Sequence, residues 1–368
     1  DSLPTYKVAI LLSALTTIFG VGALLFARHP ALHSIALVSV TGITAVVAIT
    51  FILLPLVFNR LVLSRARAGR YPVTLRIAIK TFVTWGNIVM IAVALMILGT
   101  FINMLPVARK SRERWFHSLF HRFTKAYIAF TFGADRKLVN ETGEDFSRPA
   151  IIISNHQSLI ETPAFLQLHP KIIILTLTWV YRSPVFGPIA RLAGYPNVDD
   201  GIEEVAKQLK SRVAEGYSVL IFPEGHRSAD HRIQRFHRGA FYLAEQLGLD
   251  ILPVVVFGTG EFLGKGVFWG RPNGFRMKVL PRVAPSNPTF GVSYQERTRL
   301  FRRYYIREYA AFRAEEGDAN YYRRLLSLNY VLKGPVLEWY MRVKLKLEGN
   351  YELFNRLLPR RGNILDLG

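Results

Sequence analysis

The sequence predicts an α/β domain with a mostly parallel or mixed sheet flanked by helices, preceded by N-terminal membrane helices and followed by a basic helical extension. Three long apolar runs fill the first hundred residues, short β-rich runs then alternate with amphipathic stretches, and the last part is helical and basic. Alternation of this kind is typical of α/β folds. The expected boundaries are 1–60, 61–113, 114–290, 291–362 and 363–368.

The three apolar runs are Val8–Ala27, Ser34–Phe58 and Thr81–Leu105, and none contains Asp, Glu, Lys or Arg. Each has the roughly 20 residues needed to cross the hydrocarbon core of a bilayer. We therefore expect two transmembrane helices within residues 1–60 and membrane contact for the third run.

Basic residues surround these runs and raise the net charge to +21. Only Arg28 lies between the first two runs, whereas six Lys and Arg residues lie in 60–80 and four more in 109–114. By the positive-inside rule, both basic clusters face the cytoplasm. The third run is then a monotopic or re-entrant hairpin that bends near Gly86 or Gly99, with a simple crossing as the alternative. These placements predict a multi-pass membrane protein, of a bacterial inner membrane, whose α/β domain is cytoplasmic.

The absence of cysteine excludes a disulfide framework and thiolate chemistry. We expect no metal site and no cofactor. A nucleic-acid partner is disfavoured, because the basic residues flank membrane segments instead of alternating with aromatic residues.

The α/β region contains five candidate strands and three helical stretches between them. The expected strands are Ala150–Ser154, Ile172–Leu175, Ser218–Phe222, Ile251–Phe257 and Phe275–Leu280. The expected helices are Thr162–Leu168, Ile202–Glu215 and Gly239–Leu247. After about Val292, the basic helical segment is interpreted as a solvated extension, with a membrane-facing basic surface as the alternative.

Three segments lie at the ends of predicted strands: "NHQSLIE" (155–161), "IFPEGHRS" (221–228) and "ILPVVVFG" (251–258), the last of which is itself an apolar strand. Catalytic residues of α/β proteins often lie just beyond strand ends. A single histidine in that position is more often structural than catalytic. The order and spacing of the three segments favour a common site.

These segments resemble the membrane-bound glycerolipid acyltransferase family of the 1-acylglycerol-3-phosphate type, over roughly Arg114–Pro285. The family has Asn-His, four residues and an acid, then Phe-Pro-Glu-Gly-x-Arg-Ser, then an apolar strand with Pro. "FHRGA" (236–240) is similar to the basic segment that follows in the family. The matching positions are Asn155, His156 and Glu161; Phe222, Pro223, Glu224, Gly225, Arg227 and Ser228; and Pro253.

The resemblance implies an acyltransferase that moves an acyl group from acyl-CoA or acyl carrier protein to a hydroxyl of a membrane lipid. A histidine suits removal of the hydroxyl proton, so His156 is the expected base and Glu161 the acid that orients it. With no cysteine, direct attack by the acceptor is the simpler mechanism. Arg227 is expected to grip an acidic headgroup, and Glu224 to orient Arg227 or the acceptor. The expected substrate-binding residues are Asn155, Glu224, Gly225, Arg227, Ser228 and Pro253.

Two positions depart from the family pattern. The acid is Glu161 where the family usually has Asp, and "AGYPNVDDG" carries Asp199 and Asp200 where the family has an Arg for the phosphate. The acceptor is therefore left open between lysophosphatidic acid, a neutral hydroxyl compound, an ornithine-type or sugar lipid, and a phenolic headgroup. A non-catalytic lipid-binding or docking module is the alternative function.

The two ends carry weaker resemblances. Residues 1–60 resemble the last two transmembrane helices of a resistance-nodulation-division type lipid exporter. "NILDLG" (363–368) is similar to the opening strand of an S-adenosylmethionine methyltransferase, with a buried terminal strand as the alternative. We expect the chain to be a piece of a larger fusion, with other domains of the same polypeptide as partners.

Overall fold

A computed structural model describes residues 2–68 and 70–357, which form two compact units divided between Thr74 and Leu75. The first unit is helical throughout. Its α-helices are α1 (Ser2–Gly22), α2 (Pro30–Ala48), α3 (Leu54–Phe58) and α4 (Ser64–Arg67), joined by a 3₁₀ turn (Ala23–Phe26) and two π turns (Ile49–Leu53 and Asn59–Leu63).

The second helix of this unit runs without a break from Pro30 to Arg67. It begins at His29, whose Nδ1 accepts a hydrogen bond from the Ala31 amide. Pro55 lies inside it and has no N–H to donate, and the preceding π turn accommodates this loss. Both predicted apolar helices are present and long enough to cross a membrane. The second continues past the expected boundary at residue 60, because Leu61, Val62 and Leu63 extend its apolar sequence.

The third apolar run is one continuous α-helix, α5 (Leu75–Met104), in the second unit. The expected hairpin is therefore wrong. Gly86 has open space around it, and Gly99 serves close packing: a Cβ there would lie 2.5 Å from the Phe116 ring and 2.9 Å from Leu192. The helix is long and apolar enough to cross a membrane, at roughly 45 Å, yet part of it is buried against the rest of its unit.

The second unit contains the α/β domain and the helices that follow it. Its strands are β1 (Arg136–Val139), β2 (Ile151–Ser154), β3 (Ile172–Ile174), β4 (Ser218–Ile221), β5 (Ile251–Phe257) and β6 (Phe275–Val279). Its further helices are α6 (Arg109–Phe132), α7 (Glu161–Leu166), α8 (Thr178–Arg182), α9 (Phe186–Leu192), α10 (Ile202–Ala214), α11 (Gly239–Leu247), α12 (Thr259–Leu263), α13 (Tyr294–Glu316), α14 (Ala319–Leu328), α15 (Pro335–Leu347) and α16 (Asn350–Leu357).

The six strands form one mixed sheet in the order β1-β6-β5-β2-β4-β3. All neighbours are parallel except β5 and β6. The predicted fold class is confirmed, and all five predicted strands are present. The sequence pattern missed β1, because the edge strand Arg-Lys-Leu-Val carries two charged residues and is only half-buried. The central strands β2, β4 and β5 are buried along their whole length, as expected for a sheet covered on both faces.

Helix α13 belongs to the core of the α/β domain, which corrects its interpretation as a solvated extension. Its side chains Phe301, Tyr305 and Phe312 are almost fully buried, and the helix packs against β5. Arg299, Arg303 and Arg307 of this helix are exposed, and contact of its basic residues with a membrane stays a prediction. The methyltransferase-like segment 363–368 lies outside the described residues.

His117 is a buried histidine whose position predicts a pH-dependent stability. Its Nε2 donates to the Ala193 carbonyl at 2.8 Å, and its ring meets Tyr217 edge-on. Burial lowers the pKa of His117 from 6.5 to about 4. The unfolded chain therefore binds the proton first as the pH falls, so this contribution is complete above pH 6.5 and declines as the pH falls towards 4.

We predict that acidification from pH 7 to pH 4.5 costs roughly 2–3 kcal/mol of unfolding free energy through His117. The His117→Gln variant keeps an amide donor for Ala193 but does not titrate, so denaturant unfolding in detergent should show a shallower pH dependence. The exposed His33→Gln is the matched control. An identical pH dependence in His117→Gln and the parent chain would contradict the assignment.

Candidate active site

The candidate site lies where β2 and β4 end. The two strands are parallel neighbours in the sheet, so the segments that follow them, 155–161 and 222–228, meet at the same edge. The polypeptide leaves β2 through Asn155, His156 and Gln157 and enters α7 at Glu161. The order of the sheet thus explains why two segments about seventy residues apart in sequence form one site.

His156 and Glu161 form a hydrogen-bonded pair. Nδ1 of His156 lies 2.7 Å from Oε2 of Glu161, and the two side chains are 17% and 0% exposed. The Thr259 hydroxyl donates to Oε1 of Glu161 at 2.6 Å, and the Gln157 amide donates to the same carboxylate at 3.0 Å. Three donors therefore hold the Glu161 carboxylate in place, which fixes the edge of the imidazole that it contacts.

The carboxylate also sets the tautomer of the imidazole. An ionised carboxylate only accepts hydrogen bonds, so Nδ1 of His156 carries the proton and Nε2 keeps its lone pair. The Phe222 ring stacks on the imidazole, with centroids 4.1 Å apart and planes 17° from parallel. His156 also lines a cavity. The pair thus places an oriented imidazole at the wall of that cavity.

The cavity has a volume of about 640 Å³ and an apolar lining. Helix α5 contributes Trp85, Ile88 and Leu95 to its wall, and further apolar side chains come from α6 to α9. No Lys, Arg, Asp or Glu is among its lining residues in the described part of the chain. Besides His156, the only other imidazoles in the lining are those of His226 and His237. Its chemistry suits a hydrocarbon chain better than an ionic ligand.

Glu224 binds the backbone of the site, and its expected role in orienting Arg227 or the acceptor stays a prediction. Its Oε1 accepts from the His156 amide at 2.9 Å and its Oε2 accepts from the Gln234 amide at 2.8 Å. The side chain is buried. Burial raises the pKa of Glu224 to about 7, although the two amide donors partly offset this effect. Glu224 is therefore a positioning residue for His156.

The other residues of this segment differ in what they face. Gly225 lines the cavity with φ at +70°, and a Cβ there would lie 3.3 Å from the His237 ring. The Ser228 amide donates to the His156 carbonyl at 2.7 Å, and its buried hydroxyl donates to Asp230. Its contact with a substrate stays a prediction. The half-buried Arg227 makes no hydrogen bond or ion pair with any part of the chain that the structure describes. Its grip on a headgroup stays a prediction.

Asn155 and Pro253 are held within the sheet, and their expected contact with a substrate stays a prediction. The buried Asn155 side chain donates to the Val256 carbonyl at 2.8 Å and accepts from the Val256 amide at 2.9 Å. Pro253 lies inside β5, opposite Ile153 of β2. Neither residue lines the cavity. Asn155 instead extends the pairing between β2 and β5 by one residue.

Asp199 and Asp200 belong to a turn beside the cavity. Asp199 accepts a hydrogen bond from the Thr178 amide at 2.9 Å, and Asp200 accepts from the Asn197 side chain at 3.3 Å. Their neighbours Val198 and Ile202 line the cavity, but the two acids themselves do not. These acids therefore stabilise a local turn.

Sequence reasoning missed Thr259, Tyr305 and Tyr309. Thr259 directly follows the left-handed Gly258 at the end of β5, so the strand-end rule applied to β5 would have pointed to it. Tyr305 and Tyr309 lie on α13, and their hydroxyl groups contact the residues on either side of His156. No local pattern marks these two tyrosines among the other aromatic residues of that helix.

Part of the α/β domain is similar to a known family model and to several known proteins. Residues 136–257 match the family model described as Acyltransferase. A chloroplastic 1-acyl-sn-glycerol-3-phosphate acyltransferase from Brassica napus is 32% identical over 127 residues, which are 32% of this chain and 36% of that protein. The alpha 1-acyl-sn-glycerol-3-phosphate acyltransferase from Homo sapiens is 28% identical over 156 residues, which are 40% of this chain and 53% of that protein.

A solved structure shares the fold. The 1-acyl-sn-glycerophosphate acyltransferase from Thermotoga maritima superposes with a TM-score of 0.53 at 21% identity, over 65% of this chain and 98% of that one. This chain thus spans about a third to a half of the Brassica napus and human relatives and nearly all of the solved structure. The α/β domain is thus similar to the family model described as Acyltransferase and to proteins named as 1-acyl-sn-glycerol-3-phosphate acyltransferases.

Proposed function

We propose that this protein is a membrane-associated O-acyltransferase that moves an acyl group from a thioester to a lipid hydroxyl. The observation that carries the proposal is the His156–Glu161 pair at the wall of an apolar cavity. The named relatives support the same reaction class. Acyl-CoA and acyl carrier protein are the two donors to test.

The proposed reaction has two steps. Nε2 of His156 takes the proton of the acceptor hydroxyl as its oxygen attacks the thioester carbonyl, which gives a tetrahedral intermediate. Collapse of this intermediate breaks the C–S bond, forms the ester and releases a thiolate, and His156 returns the proton to that thiolate. The buried Glu161 carboxylate stabilises the imidazolium between the two steps. No covalent enzyme intermediate is required.

The cavity is the proposed binding site for the acyl chain of the donor. Its apolar lining and lack of ionic side chains favour burial of a hydrocarbon chain next to His156. Helix α5 forms part of this wall and keeps large exposed apolar side chains on its other face, among them Phe82, Met90 and Phe101. A membrane-bound α5 would therefore connect the lipid phase to the cavity.

The acceptor is a lipid with a free hydroxyl group. Lysophosphatidic acid is the first candidate, because the names of the relatives specify 1-acylglycerol 3-phosphate. The half-buried Arg227 is the proposed phosphate contact. Neutral hydroxyl, ornithine-type, sugar and phenolic lipids are the other acceptors to compare, since the cavity lining itself offers no cation other than histidine.

The alternative of a non-catalytic docking module lacks support in the geometry. That alternative rests on Glu161 in place of an Asp, and on Asp199 and Asp200 where the family has an Arg. The longer side chain reaches His156 at 2.7 Å and also contacts Thr259. Glu161 in place of an Asp therefore still forms a hydrogen bond with His156.

The proposal is tested by the His156→Ala variant. Loss of the base should lower acyl transfer roughly 10²- to 10⁴-fold. The assay follows labelled acyl-CoA or acyl carrier protein with lysophosphatidic acid and the other acceptor lipids. The exposed His33→Ala is the control. Full activity in His156→Ala would exclude the mechanism, and transfer to none of the acceptors by the parent protein would exclude the proposed activity.

The proposed location is a membrane with the α/β domain on its cytoplasmic side. We expect α5 to lie at the membrane surface without crossing, because Ala92, Leu95 and Gly99 in the middle of the helix are buried against the same unit. A cysteine at the exposed Glu141 reports the side of the domain, since the sequence has no other cysteine. An impermeant thiol reagent should label Glu141→Cys in inverted vesicles. In right-side-out vesicles, labelling should require detergent, and labelling without it would contradict this orientation.

A further inference from the structure

Helix α13 presents two tyrosines, one turn apart, to the residues that flank His156. Tyr305 and Tyr309 are four residues apart and both are buried, so they lie on the same face of the helix. The helix lies outside residues 136–257, which match the family model. We propose that Tyr305 and Tyr309 are positioning residues that fix the His156 loop for catalysis. This proposal rests on the proposed acyltransferase function.

Tyr305 holds the beginning of the loop. Its hydroxyl accepts from the Asn155 amide at 2.9 Å and lies 2.7 Å from the Val254 carbonyl, to which it donates. The side chain is fully buried. Burial raises the pKa of Tyr305 well above its ordinary value, so the hydroxyl keeps its proton. One hydroxyl thus links the first residue after β2 to the adjacent strand β5.

Tyr309 holds the other side of the loop. Its hydroxyl accepts from Nε2 of Gln157 at 2.8 Å and donates to the His231 carbonyl at 3.3 Å. The same Gln157 nitrogen also lies 3.2 Å from the His231 carbonyl. Gln157 is therefore tied both to α13 and to the segment that follows Ser228.

The loop has a separate partner for each of three consecutive amides. The Asn155 amide donates to Tyr305, the His156 amide donates to Glu224, and the Gln157 amide donates to Glu161. Without Tyr305, the buried Asn155 amide has no acceptor at its present position. A buried unpaired amide is costly, so the loop should shift towards another partner. Small shifts of a catalytic group lower the rate strongly.

The test compares Tyr305→Phe, Tyr309→Phe and the double variant with the control Tyr304→Phe. The control makes the same change on the same helix, where Tyr304 packs against Phe290 and Phe301 and, among the described residues, makes no hydrogen bond with the loop. Two readouts are used on the full chain in detergent. Steady-state acyl transfer gives kcat and KM, and hydrogen exchange by mass spectrometry follows the peptide that covers residues 151–158.

We expect Tyr305→Phe to lower kcat roughly 10- to 100-fold with KM for donor and acceptor nearly unchanged. The same variant should accelerate amide exchange in 151–158, while Tyr304→Phe changes neither value. Tyr309→Phe should also lower kcat, with a smaller effect on exchange, because it binds a side chain instead of an amide. The kinetic assays are run at least 20 °C below each variant's unfolding temperature, so that global unfolding does not contribute.

Unchanged kcat in both Phe variants and the double variant would overturn the proposal, and so would a loss of activity without faster exchange in 151–158. Faster exchange with full turnover would show a structural role alone and would also overturn it. The exchange readout does not depend on activity. If the parent protein transfers no acyl group, the proposed function fails, and exchange still reports whether the tyrosines hold the loop.

Discussion

The buried Glu161 carboxylate is the interaction on which the site depends. A carboxylate without solvent contact requires donors, and His156, Thr259 and the Gln157 amide supply them. These donors come from the segment after β2 and from Thr259, two residues after β5, so the carboxylate joins two neighbouring strands. The imidazole is oriented because it is one of these donors. Its remaining nitrogen is thereby available to the cavity.

The other residues of the site hold the His156–Glu161 pair in position. Glu224 holds the His156 amide from the end of β4, Asn155 pairs with Val256, and Tyr305 holds the Asn155 amide from α13. Each of these hydrogen bonds is short and has a backbone group as its donor or its acceptor. The apolar cavity begins at the imidazole and extends towards α5. A rigid polar loop therefore borders a space suited to a hydrocarbon chain, which is the combination that acyl transfer from a thioester requires.

Hydrophobic periodicity predicted the strands, because it is a local property, and the family resemblance of segment 155–161 predicted the meeting of His156 with Glu161. They did not predict side-chain direction. Asn155 and Glu224 belong to recognised segments yet bind the backbone, and this depends on how β2, β4 and β5 are arranged. Helix α13 was interpreted as solvated because its many arginines mask a buried face of Phe301, Tyr305 and Phe312. At Gly99, only the neighbouring Phe116 shows that glycine serves packing and not a bend.

The central claim is that the Glu161 charge orients His156 and stabilises its protonated form, and the Glu161→Gln variant tests it most directly. The amide keeps the size of the side chain but removes the charge, and its NH₂ group can favour the wrong imidazole tautomer. We predict that kcat falls roughly 10²- to 10⁴-fold, with KM nearly unchanged and the fold intact by thermal unfolding. Glu161→Asp, which keeps the charge, should retain more activity than Glu161→Gln. Full turnover in a folded Glu161→Gln protein would contradict the account.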